Sequence, residues 1–242
     1  MATDYEFLRD SALKNLTQYM DSLDPEKGKK LAYWINDYTN FLRQENSFQS
    51  NKLIRYKRGA IIKVHLGYRV GSEEGGLHYA IVMDRYNTIH SSTLTVIPLT
   101  SVKPGTNVGR LSPYQIPLGD EVYTLLRSNF NAELKSAKQH MKEITELLTN
   151  LTNPKDSDTL NARLKEVEQQ IKYCKKMQKE ADRMKQGSIA LVGQMITVSK
   201  IRIYDPKYSK DALSKVRISA NTLDILDAKV QDLYGHPKVE EE

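Results

Sequence analysis

Among 242 residues there is a single cysteine, Cys174. One thiol excludes an internal disulfide framework and a thiolate metal cluster, and it fits a reducing compartment. Long hydrophobic runs are also missing. No stretch approaches the ~18–20 apolar residues of a membrane span, and the opening residues, MATDYEFLRD, lack the apolar core of a signal peptide. Both absences point to a cytoplasmic protein with no membrane partner. The five histidines, His65, His78, His90, His140 and His236, follow no ligand spacing such as HExxH, so no metal and no other cofactor is expected. A phosphate-cradling GxxxxGK(S/T) is lacking, which argues against a nucleotide-hydrolysing P-loop. A nucleophile elbow, GxSxG, is lacking too, which argues against a serine hydrolase of that type.

What is present is ordinary in amount and uneven in arrangement. Hydrophobic residues make up 39% and charged residues 27%, enough to bury a core in one domain plus an extension or in two small domains. The formal charge is +6 and the isoelectric point about 9.1. A basic balance permits a polyanionic partner without requiring one.

Residues 1–50 read as an N-terminal helical extension. Phe7, Leu8, Ala12, Leu13, Leu16 and Met20 recur at helical spacing, and so do Leu31, Trp34, Ile35, Tyr38 and Leu42. Asp24-Pro25-Glu26 between them is a helix start, a capping side chain followed by proline in the first turn. Residues 45–56 read as a polar linker. The texture then changes to strands. Ile61, Ile62, Val64 and Leu66 form an apolar run, Gly71-Ser72-Glu73-Glu74-Gly75-Gly76 breaks it, Ala80–Met83 resumes it, and Leu94–Leu99 ends at Thr100-Ser101. β-branched runs punctuated by glycine predict a small twisted antiparallel sheet. A turn over Lys103–Asn107 and an extended segment over Tyr114–Leu118 follow.

Over 119–186 the spacing becomes helical again. Tyr123, Leu126, Phe130, Leu134, Ala137, Met141, Ile144, Leu148 and Leu151 step by threes and fours; Leu160, Leu164, Val167, Ile171 and Cys174 repeat this after the breaker Thr152–Asp156. Two such runs joined by a proline loop predict an antiparallel helical hairpin with a coiled-coil-like seam. Its outward lysines, among them Lys135, Lys138, Lys142, Lys165, Lys172, Lys175 and Lys176, alternate with glutamates as on a solvated face, although they could also meet a macromolecular partner. Strands resume at Ile189–Val192 and Met195–Ile203, with one further strand expected at Val216-Arg217-Ile218. Ser219 then caps a helix carrying Leu223, Ile225, Leu226, Val230 and Leu233, with Gly235 as its stop.

The order of the strand motifs resembles the MazF/PemK family of toxin endoribonucleases. Arg58-Gly59, the Gly71–Gly76 loop, Ala80–Val82 and Pro98–Ser101 match that family's motifs in order and spacing, and GSIALVGQMITVSKIRI is similar to its last core strands, with Gln194 at the family glutamine. The resemblance implies an α+β chain. An SH3-like small antiparallel β-barrel, 57–118 plus 187–235, would carry the helical extension 1–50, the inserted hairpin 119–186 and a C-terminal helix. It also implies a bacterial toxin that cleaves single-stranded RNA without metal, leaving a 2′,3′-cyclic phosphate and a 5′-hydroxyl. Such a toxin is silenced by an antitoxin and is usually a homodimer.

By the same resemblance the catalytic pair would be a threonine ending the third strand, here Thr100, and an arginine just after the glycine loop, whose place is taken by His78. An imidazole can move a proton near neutral pH but lacks the permanent charge and two-pronged phosphate grip of a guanidinium. Arg69, Arg85 or Lys63 would have to supply that charge. RNA contacts are expected from Ser72, Glu73, Arg69, Tyr79, Arg85 and Ser101, with Tyr68, Tyr79 and Tyr86 as rings that could stack on bases. Each has a plain alternative: a hydrogen-bonded histidine at a strand start, hydroxyls that cap a turn, a solvated loop, packing tyrosines. Two other functions stay open, an RNA- or partner-binding barrel that does not cut and a gyrase-directed toxin of the same barrel type. The antitoxin could itself be RNA, as in ToxN-like relatives.

Overall fold

The structure is a computed structural model and describes residues 2–149 and 154–235. It divides into two compact units, residues 1–48 with 66–76, and residues 49–65 with 77–242.

The first unit contains α1 (Ala2–Ser22) and α2 (Pro25–Gln44). The expected start of α2 is realised: the Asp24 carboxylate accepts the Lys27 amide hydrogen at 3.0 Å, and Pro25 takes the first helical position, where no amide hydrogen is needed. That bond lowers the Asp24 pKa. On α1 Leu16 and Met20 are half-buried while the other apolar side chains at the predicted spacing stay exposed, Phe7 at 78% and Leu8 at 67%, whereas α2 buries Leu31. The rest of this unit is the glycine loop, Leu66–Gly76. Its ends are pinned by the Leu66 amide on the Gly76 carbonyl and the Gly76 amide on the Gly67 carbonyl, both at 2.7 Å. Gly71 and Gly76 have φ of +62° and +79°, the left-handed region that side chains with a Cβ avoid. At Gly75 a Cβ would lie 2.9 Å from the Gly67 carbonyl oxygen, so the glycine pattern is a backbone requirement.

The second unit is built on a seven-stranded antiparallel sheet: β1 (Ile61–His65), β2 (Leu77–Val82), β3 (Thr93–Ser101), β4 (Gln115–Gly119), β5 (Ser188–Leu191), β6 (Ile196–Ser199) and β7 (Ile203–Asp205). Its order is β4-β5-β3-β2-β1-β7, with β6 also on β3. The free edge of β3 is thus shared, β6 pairing its start and β5 its end. Side chains alternate between two faces. One face presents Ile61, Ile81, Ile97, Leu99 and Ala190 to a core completed by helices α3 (Glu121–Thr149), α4 (Pro154–Met184) and α5 (Ala220–Tyr234). The other carries Ile62, Val64, Ala80, Val82 and Val96, also buried, as expected of a sheet coiling on itself. Each such aliphatic side chain contributes on the order of 1.5–3 kcal/mol through burial.

The Arg58-Gly59 motif is structural. Gly59 sits at φ +80°, where a Cβ would crowd Leu223 of α5 at 3.0 Å, and the Arg58 guanidinium joins the Met83 carbonyl to the Asp227 carboxylate. Three local expectations change. Met195–Ile203 is two strands, β6 and β7, separated by a helical turn at Lys200–Arg202. Val216–Ile218 forms no strand, only one bridge between Ala60 and Arg217, because the chain there leaves at once for α5. The polar linker hides a core residue: Tyr56 is 1% exposed, and its hydroxyl donates to the Pro206 carbonyl at 2.7 Å.

The hairpin α3–α4 forms as expected; of the breaker between its runs, residues 152 and 153 lie outside the described residues. Its seam is Ala137, Ile144, Val167 and Cys174, with a polar layer where His140 Nδ1 meets Gln170 Oε1 at 2.9 Å. At the base the same stripe continues through Ala181 and Met184, which with Val122 and Leu126 belong to the sheet's core. Among the described residues no helix is long and apolar enough to cross a membrane, and no group of three or more His, Cys, Asp or Glu could hold a metal ion.

Candidate active site

The ladder decides which expected residues meet. Tyr79 pairs with Leu99 and Ala80 with Pro98, and the β2–β3 ladder ends there; His78 and Thr100 are the next residues outward on the two strands, where continuing the register would set them opposite each other. Opposed residues of an antiparallel pair point to the same face, with Cβ atoms about 5 Å apart. On either side the row continues with Val64 of β1, paired to His78, and Ile189 of β5, paired to Thr100. Pro117 of β4 follows, paired to Ile189. Two polar side chains therefore sit together in an otherwise apolar row. Both are partly exposed at the sheet's rim, while Val64 and Ile189 are buried.

His78 Nδ1 lies 3.4 Å from the Leu99 carbonyl oxygen. A neutral ring donating through Nδ1 carries its lone pair on Nε2, the tautomer suited to accept a proton there. Ser101 follows Thr100 on the opposite face, exposed, and pairs with Ser188 of β5, whose buried hydroxyl has no hydrogen-bond partner.

Tyr79, Lys63 and Arg85 do not join this pair. Tyr79 points to the helix-covered face. Its ring lies under the Lys63 ammonium at 5.1 Å, and its hydroxyl donates to Glu180 of α4. Burial and the Glu180 carboxylate push its pKa up. Lys63 shares that face, with Nζ 3.0 and 3.1 Å from the two Glu180 oxygens, so its charge is spent inside the fold. Arg85 lies beyond the far end of β2, seven residues from His78, beside Asp227 of α5 at 3.4 Å. Tyr86, next to it, is 90% exposed.

Within the glycine loop, Arg69 and Glu73 hold one another. Arg69 Nε donates to the Leu66 carbonyl at 2.8 Å and its Nη1 is 3.9 Å from Glu73, whose carboxylate also accepts the Val70 amide hydrogen. Ser72 is exposed at the loop's tip and Tyr68 is 38% exposed.

One cluster escaped the sequence reading. Lys63, Tyr79 and Arg183 converge on Glu180, 117 residues beyond Lys63. Burial works to raise the Glu180 pKa, but the hydrogen bonds from Tyr79 and Lys63 and the charges of Lys63 and Arg183 outweigh it and hold the carboxyl below its ordinary range. The only early signal was a lysine inside a strand otherwise buried on both faces.

Residues 57–167 match the model of the family described as PemK-like, MazF-like toxin of type II toxin-antitoxin system. That stretch is similar to the PemK/MazF family, and the seven-stranded antiparallel sheet with its helical additions is consistent with a small β fold of that kind. The matched stretch runs from the Arg58-Gly59 turn through β1–β4 and α3 into α4; β5, β6, β7 and Gln194 lie beyond it. No curated protein matches the chain.

Proposed function

We propose that the chain is the toxin of a toxin–antitoxin pair and acts as a metal-independent endoribonuclease on single-stranded RNA. The observation that supports this most is that His78 and Thr100 are the first residues beyond the end of the β2–β3 ladder, on one face of neighbouring strands between the apolar Val64 and Ile189, at positions that the resemblance assigns to a catalytic pair. In this reading Nε2 of neutral His78 takes the proton of the ribose 2′-hydroxyl as its oxygen attacks phosphorus. The P–O5′ bond breaks, giving a 2′,3′-cyclic phosphate and a 5′-oxygen that is protonated by solvent. Thr100 donates its hydroxyl hydrogen to a non-bridging oxygen, where negative charge builds up. The imidazolium formed on His78 is then the cation next to the phosphorane, a part the family assigns to arginine. The glycine loop, Ser101 and the basic hairpin would supply RNA contacts. The partners are a cognate antitoxin, protein or RNA, and a second copy of the chain.

The test is incubation with a long single-stranded RNA, with and without EDTA, followed by analysis of the ends. Cleavage unaffected by EDTA with cyclic-phosphate ends is expected, and Thr100→Ala should slow it on the order of a hundredfold or more. Intact RNA, or full activity in a folded Thr100→Ala protein, would favour a barrel that binds without cutting.

A further inference from the structure

Between the end of α4 and the β1–β2–β7 part of the sheet lies a cavity of about 560 Å³, outside the His78–Thr100 row. Its charged groups divide sharply. Each carboxylate on its wall already has donors. Glu180 accepts from Lys63, Tyr79 and Arg183, Asp205 accepts the Leu213 amide hydrogen at 3.0 Å, and Asp211 accepts the amide hydrogens of Lys207 and Tyr208 at 2.7 and 2.8 Å. Lys176 and Lys179, which line the same cavity, have no ion-pair partner among the described residues.

These two lysines are part of a longer ladder. Residues 172–185 hold six cations, Lys172, Lys175, Lys176, Lys179, Arg183 and Lys185, against the two carboxylates Glu180 and Asp182. Lys172, Lys176, Lys179 and Arg183 recur at i, i+4, i+7 and i+11, so they form one stripe with a cation about every 5.4 Å turn. A solvated helix face would interleave acids with its lysines, as α3 does with Lys142 and Glu146. Here, of the two acids near the stripe's end, Glu180 is turned inward and neutralised, and the exposed Asp182 is left against Lys175, Lys179 and Arg183. At the rim, Tyr204 of β7 is 67% exposed, a ring beside a row of unpaired ammonium groups. Regularly spaced cations with an exposed aromatic fit a flexible polyanion that carries planar bases. An acidic protein segment would have no use for the ring. The cavity lies on the opposite face of the same strand, with Leu77 and Tyr79, the two neighbours of His78, in its wall, so an RNA strand would reach both by passing round the rim of the sheet.

We infer that this cavity and the α4 lysine stripe form a second RNA-binding subsite, in which Lys176 and Lys179 hold backbone phosphates and Tyr204 stacks on an unpaired base of the strand whose scissile phosphate lies at His78 and Thr100. The inference rests on the ribonuclease reading and adds a function for the inserted hairpin.

The probe is a fluorescein-labelled 2′-O-methyl oligoribonucleotide, single-stranded and without a free 2′-hydroxyl to react. Its binding to the full chain is measured over a range of salt concentrations by anisotropy. Lys176→Ala/Lys179→Ala should weaken binding and flatten the plot of log affinity against log salt by about 1.4, at about 0.7 per phosphate released from a single strand. Tyr204→Ala should weaken binding about fivefold or more with the salt slope unchanged. All three side chains are at the surface or the cavity rim, and circular dichroism of each variant should match the parent. If the parent binds and cuts RNA while the variants keep its affinity and slope, the subsite is wrong and the ribonuclease stands. If the parent neither binds nor cuts RNA, both fall.

Discussion

On the family resemblance His78 takes the place of an arginine, and the fold brings it no guanidinium in compensation from β1 or the end of β2. Lys63 points to the opposite face and is neutralised by Glu180, while Arg85 lies seven residues away with Asp227. If His78 moves a proton, His78→Gln should cost at least about a hundredfold in cleavage rate, since glutamine can hydrogen-bond but not titrate. His78→Arg separates the two roles. It should also be inactive, and the pH–rate profile of the parent should show a limb that depends on this residue. Strong activity in His78→Arg would mean that the position needs only charge. A second residue is informative for stability. Lys200 is 1% exposed, and its ammonium donates to Asn87 Oδ1 at 3.1 Å and the Thr88 carbonyl at 2.7 Å. Burial lowers its pKa. Lys200→Met would keep the volume but orphan the buried Asn87 oxygen and the partly buried Thr88 carbonyl, and chemical denaturation should show a loss of about 1–3 kcal/mol.

At the scale of elements, the Glu180 cluster clamps α4 to β1 and β2. Because the folded protein keeps this carboxyl ionised at lower pH than the unfolded chain does, the sign of the linkage is fixed. The contribution is fully present above the ordinary carboxylate range and is lost as pH falls through the depressed folded value. Glu180→Gln should therefore lower stability at neutral pH by about 2 kcal/mol, the scale of hydrogen bonds to charged groups. It should also make the acid side of the stability curve flatter. Parent and variant melts between neutral and acidic pH would show it, and parallel curves would place the clamp's energy elsewhere.

At the scale of the molecule, the second unit contains barrel strands and hairpin together, and the hairpin's base is part of the common core. Two deletions should behave differently. Removing residues 130–173 with a short Gly/Ser closure takes away the distal seam and leaves Val122, Leu126, Met177, Ala181 and Met184 in place. That protein should fold, with less helix and a retained cooperative melt. Removing residues 123–184 strips Leu126, Ala181 and Met184 from the sheet, and large cavities of this kind cost several kcal/mol each. That protein should lose its cooperative transition. Equal behaviour of the two would mean that the base does not complete the core.

Local order was readable from the chain itself. Apolar β-branched runs punctuated by glycine gave β1–β3, the three-four spacing gave α3 and α4, and Asp24-Pro25 and Ser219 gave helix starts, because these signals depend only on near neighbours and on the period of the backbone. Thr100 and His78 could be singled out by motif order, but not their neighbours Val64 and Ile189 in the same row, which depend on strand register. The splitting of 195–203, the burial of Tyr56 and the tie between Lys63 and Glu180 had no local signature. Each rests on contacts between residues far apart in sequence, and only the tertiary structure decides which of several polar side chains faces a partner, a cavity or water.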